Sequence, residues 1–153
     1  MAWNVEVAAV RRDSVAEAVP DEFAATGTKM GFEEATSCRR DPDLCAAKVG
    51  EWVFVVDTGC RLSGATGHLA RVSLSTDVHV VRIAGEPLAL HYHDGRLAHA
   101  VRGLAACLRL APRVDGDGEL CAMDLLALQT GVMFHQDLWE VGFTLFQAAG
   151  RPS

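Results

Sequence analysis

The sequence lacks the marks of a secreted or membrane-spanning protein. Its first 12 residues hold no basic stretch followed by an apolar one, so we expect no signal peptide. No apolar run approaches the roughly 18 residues of a membrane-spanning helix. The 5 cysteines form no Cys-x-x-Cys pair, which argues against a disulfide framework and against structural zinc. We therefore expect a cytoplasmic protein with reduced thiols, no membrane association and no cofactor.

Basic residues are also scarce. The chain has 14 lysines and arginines against 20 acidic residues, which gives a net charge of −6. Nucleic-acid-binding domains usually carry a basic surplus, so we expect no nucleic-acid partner. Half of the residues are hydrophobic and 22% are charged, as in ordinary globular proteins. A chain of 153 residues without repeats or long linkers predicts a single domain over residues 1–153.

Local patterns predict a mixture of strands and helices. Runs of apolar and β-branched residues predict strands over Val5–Arg12, Glu51–Asp57, Cys107–Leu110 and Phe143–Gln147. Capping and turn residues predict helices after Ser14, between Asp41 and Gly50, and over Gly67–Ser73, Glu119–Gln129 and Asp137–Glu140. The polar stretches Ala25–Gly31 and Arg113–Gly118 predict surface loops.

The region from Asp77 to Arg102 predicts a three-stranded meander. Its strand-like runs are separated by Gly85-Glu86 and by Asp94-Gly95, and Asp-Gly is typical of two-residue hairpin turns. We therefore predict an α+β fold, with an antiparallel sheet of five or six strands that includes the 77–102 meander and with helices packed mainly on one face. The predicted core comprises Val53, Val55, Val81, Ile83, Leu88, Leu90, Leu97, Leu125 and Leu128.

The meander also supplies the first candidate site. If both turns have two residues, Val81 pairs with Leu90, and four basic side chains share one face of the sheet: Arg82, His91, His93 and Arg96. Guanidinium and imidazole groups together can bind a carboxylate or a phosphate. The alternative is a solvated face whose charges discourage aggregation. A shift of one residue in the pairing would reverse the facing.

A metal site at the same place is a weaker hypothesis. His91 and His93 point the same way and would need His99 as a third ligand. The neighbouring arginines oppose a cation. On the two-residue Asp-Gly turn His99 faces the other side of the sheet, and a three-residue turn with a bulge would bring it to the same side. We therefore predict no metal.

The segment FVVDTG supplies another candidate, Asp57. An apolar run ending in Asp-Thr-Gly resembles the catalytic signature of retroviral-type aspartic proteases, in which two such aspartates, one from each subunit, share a proton and activate water. Here Arg61 and Ser63 stand where small and apolar residues are more usual. The alternative is a turn at the end of a strand, because Asp, Thr and Gly all favour turns.

Longer segments carry one further resemblance. GEWVFVVDTG, VSLS, VHVVRIAG and ALHYHDGRLAHAVRG lie in this order between Gly50 and Gly103, and LLALQTGVMFHQDLW follows. Together they resemble a small-domain family of high-GC bacteria that has no assigned activity. The resemblance implies the order strand, helix, meander and implies no chemistry.

Without a convincing catalytic motif, the sequence favours a non-catalytic module that binds a protein or a ligand. Catalytic groups can lie far apart in a sequence, so two alternatives stay open. The first is a small enzyme or anionic-ligand-binding protein that uses Arg82, His91, His93 and Arg96. The second is a dimeric aspartic protease that acts through Asp57. The expected partner is another protein or a small anionic molecule.

Overall fold

Eight strands form one antiparallel sheet in the computed structural model, which describes residues 4–37, 43–83 and 86–148. The strands are β1 (Val5–Val10), β2 (Phe23–Met30), β3 (Leu44–Val49), β4 (Trp52–Asp57), β5 (Asp77–Ile83), β6 (Leu88–His93), β7 (Arg96–Arg102) and β8 (Phe143–Ala148). Their order across the sheet is β2-β8-β3-β4-β1-β5-β6-β7. β2 and β7 are therefore the edges, and β1 lies inside, between β4 and β5.

Helices pack on both faces of the sheet. They are α1 (Val15–Ala18), α2 (Phe32–Ser37), α3 (Thr66–Val72), α4 (Leu104–Leu110) and α5 (Gly118–Thr130), with a 3-10 turn at Leu62–Gly64 and a π-helical turn at Phe134–Leu138. We call the two sides of the sheet the α5 face, which also carries α2 and α4, and the α3 face, which also carries α1 and the 3-10 turn. No helix in the described ranges is long and apolar enough to span a bilayer.

The sheet separates two hydrophobic cores. On the α5 face, Val7, Phe54 and Val81 pack against residues of α2, α4 and α5. On the α3 face, Val55 and Val80 belong to a smaller core that also contains residues of α1 and α3. All six residues of β1 are buried, because neighbouring strands flank it and helices cover both its faces.

Several expectations are confirmed. The fold is α+β with an antiparallel sheet, and β5, β6 and β7 form the expected meander. Asp94 and Gly95 make a two-residue turn with φ values of 47° and 82°, the conformation that Asp-Gly hairpins favour. The capping box at α1 is present, because the backbone N–H of Ser14 donates to the side chain of Glu17.

The predicted strand count is wrong, because three segments have a different structure. Leu44–Val49, predicted as a helix, is β3 and turns back into β4 at Gly50, whose φ is 59°. Glycine is common both at helix ends and in tight hairpins, so Gly50 does not distinguish a helix from a strand before it. Residues 41 and 42 of that predicted helix lie outside the described residues. Ala25–Gly31, predicted as a loop, falls mostly within the irregular edge strand β2, and Cys107–Leu110, predicted as a strand, belongs to α4.

Two further expectations need correction. Helices do not favour one face as strongly as predicted, since α1 and α3 lie on the side opposite α5. Two of the nine predicted core residues are exposed: Leu97 is 48% exposed on the edge strand β7, and Leu128 is 70% exposed on the outer side of α5. The sequence of α5 is apolar nearly all round, so its pattern did not show which side faces the core.

Two of the leucines of α5 provide a test of this packing. Leu125→Ala should lower the free energy of unfolding by about 2–5 kcal/mol, because it removes a buried side chain and leaves a cavity. Leu128→Ala should change it by only about 0.5 kcal/mol, since the side chain is mostly in water. Urea denaturation of both variants measures the difference. Equal losses would contradict the orientation of the helix.

Candidate functional site

The structure separates the four residues of the predicted basic cluster. His91, His93 and Arg96 lie on the α5 face, whereas Arg82 pairs with Leu88 on the α3 face. The prediction that all four share one face is therefore wrong. The last pair among the described residues is Arg82 with Leu88, a register that is incompatible with the predicted two-residue turn. The pairing is shifted by one residue from the predicted one, which reverses the facing of one strand relative to the next.

Two of the histidines bind a carboxylate of the same sheet. His91 Nε2 donates to Asp77 Oδ1 at 2.9 Å, and His93 Nδ1 donates to the same oxygen at 2.8 Å. Partial burial acts to raise the pKa of Asp77, but the hydrogen bonds from the two imidazoles outweigh it, and the pKa is lowered. Asp77 therefore stays ionised, and its negative charge lies against the two histidines that were predicted to bind an anion.

A third histidine is packed beneath the pair. The rings of His79 and His91 are stacked with centroids 4.3 Å apart, and Trp52 contacts the ring of His79. His79 is only 8% exposed, and burial, followed by the charge of His91, lowers its pKa to about 4 although Asp77 opposes the shift. Its Nδ1 is buried without a hydrogen-bond partner among the described residues. This end of the sheet is a packed stack of rings rather than an open ligand pocket.

His99 lies on the same face as His91. Ala98 is an extra residue on β7, so that Leu97 pairs with Tyr92 and His99 pairs with His91. A bulge after the two-residue turn thus brings His99 to the face of His91, without the three-residue turn that the metal hypothesis assumed. Within the described part of the chain, no group of three histidine, cysteine, aspartate or glutamate side chains is placed to hold a metal ion.

Arg82 completes a buried polar network that the sequence analysis missed. Glu6, in the middle of β1, is fully buried, and Arg82 Nε donates to its Oε2 at 2.9 Å. Ser63 donates through Oγ to the same oxygen at 2.5 Å and through its backbone N–H to Oε1 at 2.8 Å. Arg82 Nη2 also donates to Ser63 Oγ at 2.9 Å. The network joins β1, β5 and the 3-10 turn, and the glutamate within the apolar run VEVAAV was its only signal in the sequence.

Asp57 has a structural role at the end of β4. Its Oδ1 accepts the backbone N–H of Gly59, and its Oδ2 accepts those of Arg61 and Leu62. Burial raises the pKa of Asp57 against these hydrogen bonds, and Glu6, its pairing partner on β1, adds to the rise. A cavity of about 180 Å³ lies beside it. Both oxygens are engaged by the turn, which is the arrangement that the alternative to the protease hypothesis requires.

The edge strand β7 is the most exposed part of the meander. Six of its seven residues are exposed, and Val101 alone is buried. β6 pairs with its inner side, and no described strand pairs with its outer side. Roughly half of the backbone N–H and C=O groups of an edge strand point outward and can accept another strand. After the bulge at Ala98, the run His99–Arg102 is regular.

Arginines without partners concentrate at this edge. Arg96 and Arg102 on β7 and Arg109 on α4 are exposed and make no hydrogen bond or ion pair with any described residue. The other described arginines are all engaged. They are Arg11, Arg12, Arg61, Arg71, Arg82 and Arg113. Of these three unpartnered arginines, only Arg96 belonged to the predicted site, because the sequence did not show that α4 lies beside β7.

A cavity of about 260 Å³ lies between β7 and α4. Its lining residues include His99, Arg102 and Arg109 and the apolar residues Ala100, Ala106 and Leu110. No acidic side chain lines it among the described residues. The cavity is therefore basic in a protein whose net charge is −6.

Comparison with known proteins identifies no relative. No family model, no curated protein sequence and no solved structure matches the chain. The resemblance to a small-domain family of high-GC bacteria stays a prediction.

The buried network gives a prediction about stability. Arg82→Met should lower the free energy of unfolding by about 3–5 kcal/mol, because it leaves the carboxylate of Glu6 buried without its cation. Adding Glu6→Gln should recover part of the loss. Arg71→Met, which breaks an exposed pair with Asp21, should cost about 1 kcal/mol or less. Chemical denaturation measures all three, and equal costs for the two arginines would refute the role of Glu6.

The histidine stack gives a prediction about pH. The unfolded chain binds a proton at His79 near pH 6.5, whereas the folded protein binds it near pH 4. The stability that depends on neutral His79 is therefore complete above about pH 6.5 and is lost as the pH falls toward 4. Between pH 7.5 and 4, the wild type should lose about 3 kcal/mol more than His79→Phe. Urea denaturation at several pH values measures this, and parallel curves for the two proteins would contradict it.

Proposed function

We propose that this chain is a non-catalytic protein-binding module that takes up an extended, acidic segment of a partner protein along the edge strand β7. The observation that carries the proposal is the outer side of β7, which is exposed, unpaired among the described strands and flanked by three partnerless arginines. Adding a strand to a sheet edge is a common mode of peptide recognition, in which backbone hydrogen bonds supply affinity and side chains supply specificity.

The charge of the edge supports an acidic partner. Arg96, His99 and Arg102 are the ionisable residues of β7, and Arg109 lies next to it. Two copies of this strand would oppose like charges, which disfavours pairing between identical chains. Glutamates or aspartates on an incoming strand would instead meet unpaired guanidinium groups. Complementary charge at an exposed edge raises association rates and selects among partners.

The opposite edge is less suited to strand addition. β2 changes register against β8 between Ala25 and Lys29, and Gly27 lies there with φ at 85°. Thr26 also donates its hydroxyl to the backbone carbonyl of Leu145, so side-chain bonds occupy part of this irregular stretch. An irregular edge pairs poorly with a further strand. The contrast favours β7 as the binding edge.

The faces of β7 indicate the pattern of the partner segment. Arg96, His99 and Val101 point to the α5 face, whereas Leu97, Ala100 and Arg102 point to the α3 face. Leu97 is 48% exposed, and Leu74, which lies against the Asp94-Gly95 turn, is 51% exposed on the same side. An acidic strand with carboxylates on both of its faces can meet Arg96 on one side and Arg102 on the other, with an apolar side chain beside Leu97.

A synthetic peptide tests the proposal. An eight-residue peptide that repeats Glu-Glu-Thr-Thr, which presents glutamates on both faces of the strand, should shift backbone amide resonances within residues 96–102, and the matching peptide with lysine in place of glutamate should not. Arg96→Glu combined with Arg102→Glu should weaken binding by roughly tenfold or more, because two favourable charge contacts become repulsive. Titration followed by NMR provides both measurements.

Controls make the result decisive. Arg71→Glu changes the same charge on α3, away from β7, and should leave the affinity for the peptide unchanged. Equal binding of the two peptides, or shifts centred on another part of the sheet, would overturn the proposal. A single-stranded oligonucleotide that binds the same amides more tightly than the acidic peptide would also overturn it.

A further inference from the structure

His99 differs from the other three histidines of the meander. His91 and His93 are hydrogen-bonded to Asp77, and the ring of His79 is stacked on that of His91. His99 pairs with His91 across β6 and β7, lies exposed on the edge strand, and makes no hydrogen bond, ion pair or ring contact with any described residue. Its imidazole is therefore available to a segment that docks along β7.

Cations predominate among the charged side chains around His99. Arg96 shares its face of β7, and Arg109 of α4 lines the same cavity. Asp77, a carboxylate on the same face, lies two strands away on β5 and already accepts hydrogen bonds from both histidines of β6. Glu86 lies beside the start of α4, beyond the end of β7. No described carboxylate is therefore paired with His99 to balance a positive charge there.

A docked acidic strand would change this balance. His99 begins the regular run of β7 after the bulge, and the residue opposite it on an added strand directs its side chain to the same face. The two Cβ atoms of such a pair lie about 4.5–5.5 Å apart, so a carboxylate there can reach the imidazole. A negative charge at this distance favours the protonated form of an imidazole, which ordinarily titrates at about pH 6.5.

From this placement we infer that docking of the acidic segment on β7 takes up a proton at His99 and is therefore stronger at lower pH. The proton comes from the solvent, and the protonated imidazole donates a charge-assisted hydrogen bond to the carboxylate of the partner. Because the complex then binds more protons than the free protein does, its affinity rises as the pH falls. This inference rests on the proposed function of β7.

Isothermal titration calorimetry with the Glu-Glu-Thr-Thr peptide tests the coupling. Titrations near pH 7 in two buffers of different ionisation enthalpy should show that the wild type takes up roughly 0.3–0.5 proton per complex. Between pH 8 and pH 5.5, its affinity should rise roughly three- to tenfold, because a charged donor replaces a neutral one. The glutamates of the peptide stay mostly ionised over this range, so they contribute little to the change.

Two variants locate the proton. His99→Gln keeps a polar side chain on β7 that cannot be protonated, so it should abolish both the proton uptake and the rise in affinity. His93→Gln removes an exposed imidazole of the same face on β6, one strand inside the edge, and should retain both. Both positions are exposed, and thermal denaturation checks that each variant is folded.

Each possible failure has a distinct meaning. Equal affinity at pH 8 and pH 5.5 without proton uptake would overturn the coupling and leave the proposed function standing. Proton uptake that persists in His99→Gln, or that disappears in His93→Gln, would place the proton on another group and would also overturn the coupling. If the peptide binds at no pH in this range, the proposed function fails and the coupling fails with it.

Discussion

Coverage of the sheet on both faces is the constraint on which the rest of this structure depends. Helices α2, α4 and α5 lie on one side and α1 and α3 on the other, and all six residues of β1 are buried between them. A strand that is buried on both faces cannot present its side chains to a ligand. Binding through strands is therefore confined to the sheet edges and to the uncovered end at His93, where Asp77 already engages the imidazole. This agrees with the position of the described arginines that lack partners, which lie on β7 and α4.

The same coverage dictates how polar residues inside the protein are used. Glu6 and Asp57 are buried and adjacent across β1 and β4, where two carboxylates without partners would be strongly destabilising. Arg82 and the backbone N–H groups of Ser63, Arg61 and Leu62 satisfy them. These bonds fix the 3-10 turn against the strands. The first three residues of the segment DTGCRLS suggested a catalytic signature. The segment instead links β4, through Asp57, and β1 and β5, through Ser63, on the α3 face.

Much of the fold could be predicted from the sequence, and the errors have physical causes. The apolar run of β4 and the Asp94-Gly95 hairpin were clear because strand burial and turn chemistry are local properties. Gly50 was ambiguous because it serves a hairpin as well as it ends a helix. The facing of Arg82 depended on the length of one connection, and one residue of register moved it to the other side of the sheet. Local patterns do not determine such long-range geometry.

The candidate site was harder to predict than the fold for a related reason. Arg96 was selected, but it was grouped with the histidines that Asp77 engages rather than with Arg102 and Arg109. That grouping requires knowing that β7 is an edge and that α4 folds back beside it, which are properties of the whole topology. The net charge alone does not show that the arginines without partners lie together at one edge. Under the proposed function, the net charge of −6 would oppose acidic partners in general, and the partnerless arginines of β7 and α4 would direct an acidic segment to this edge.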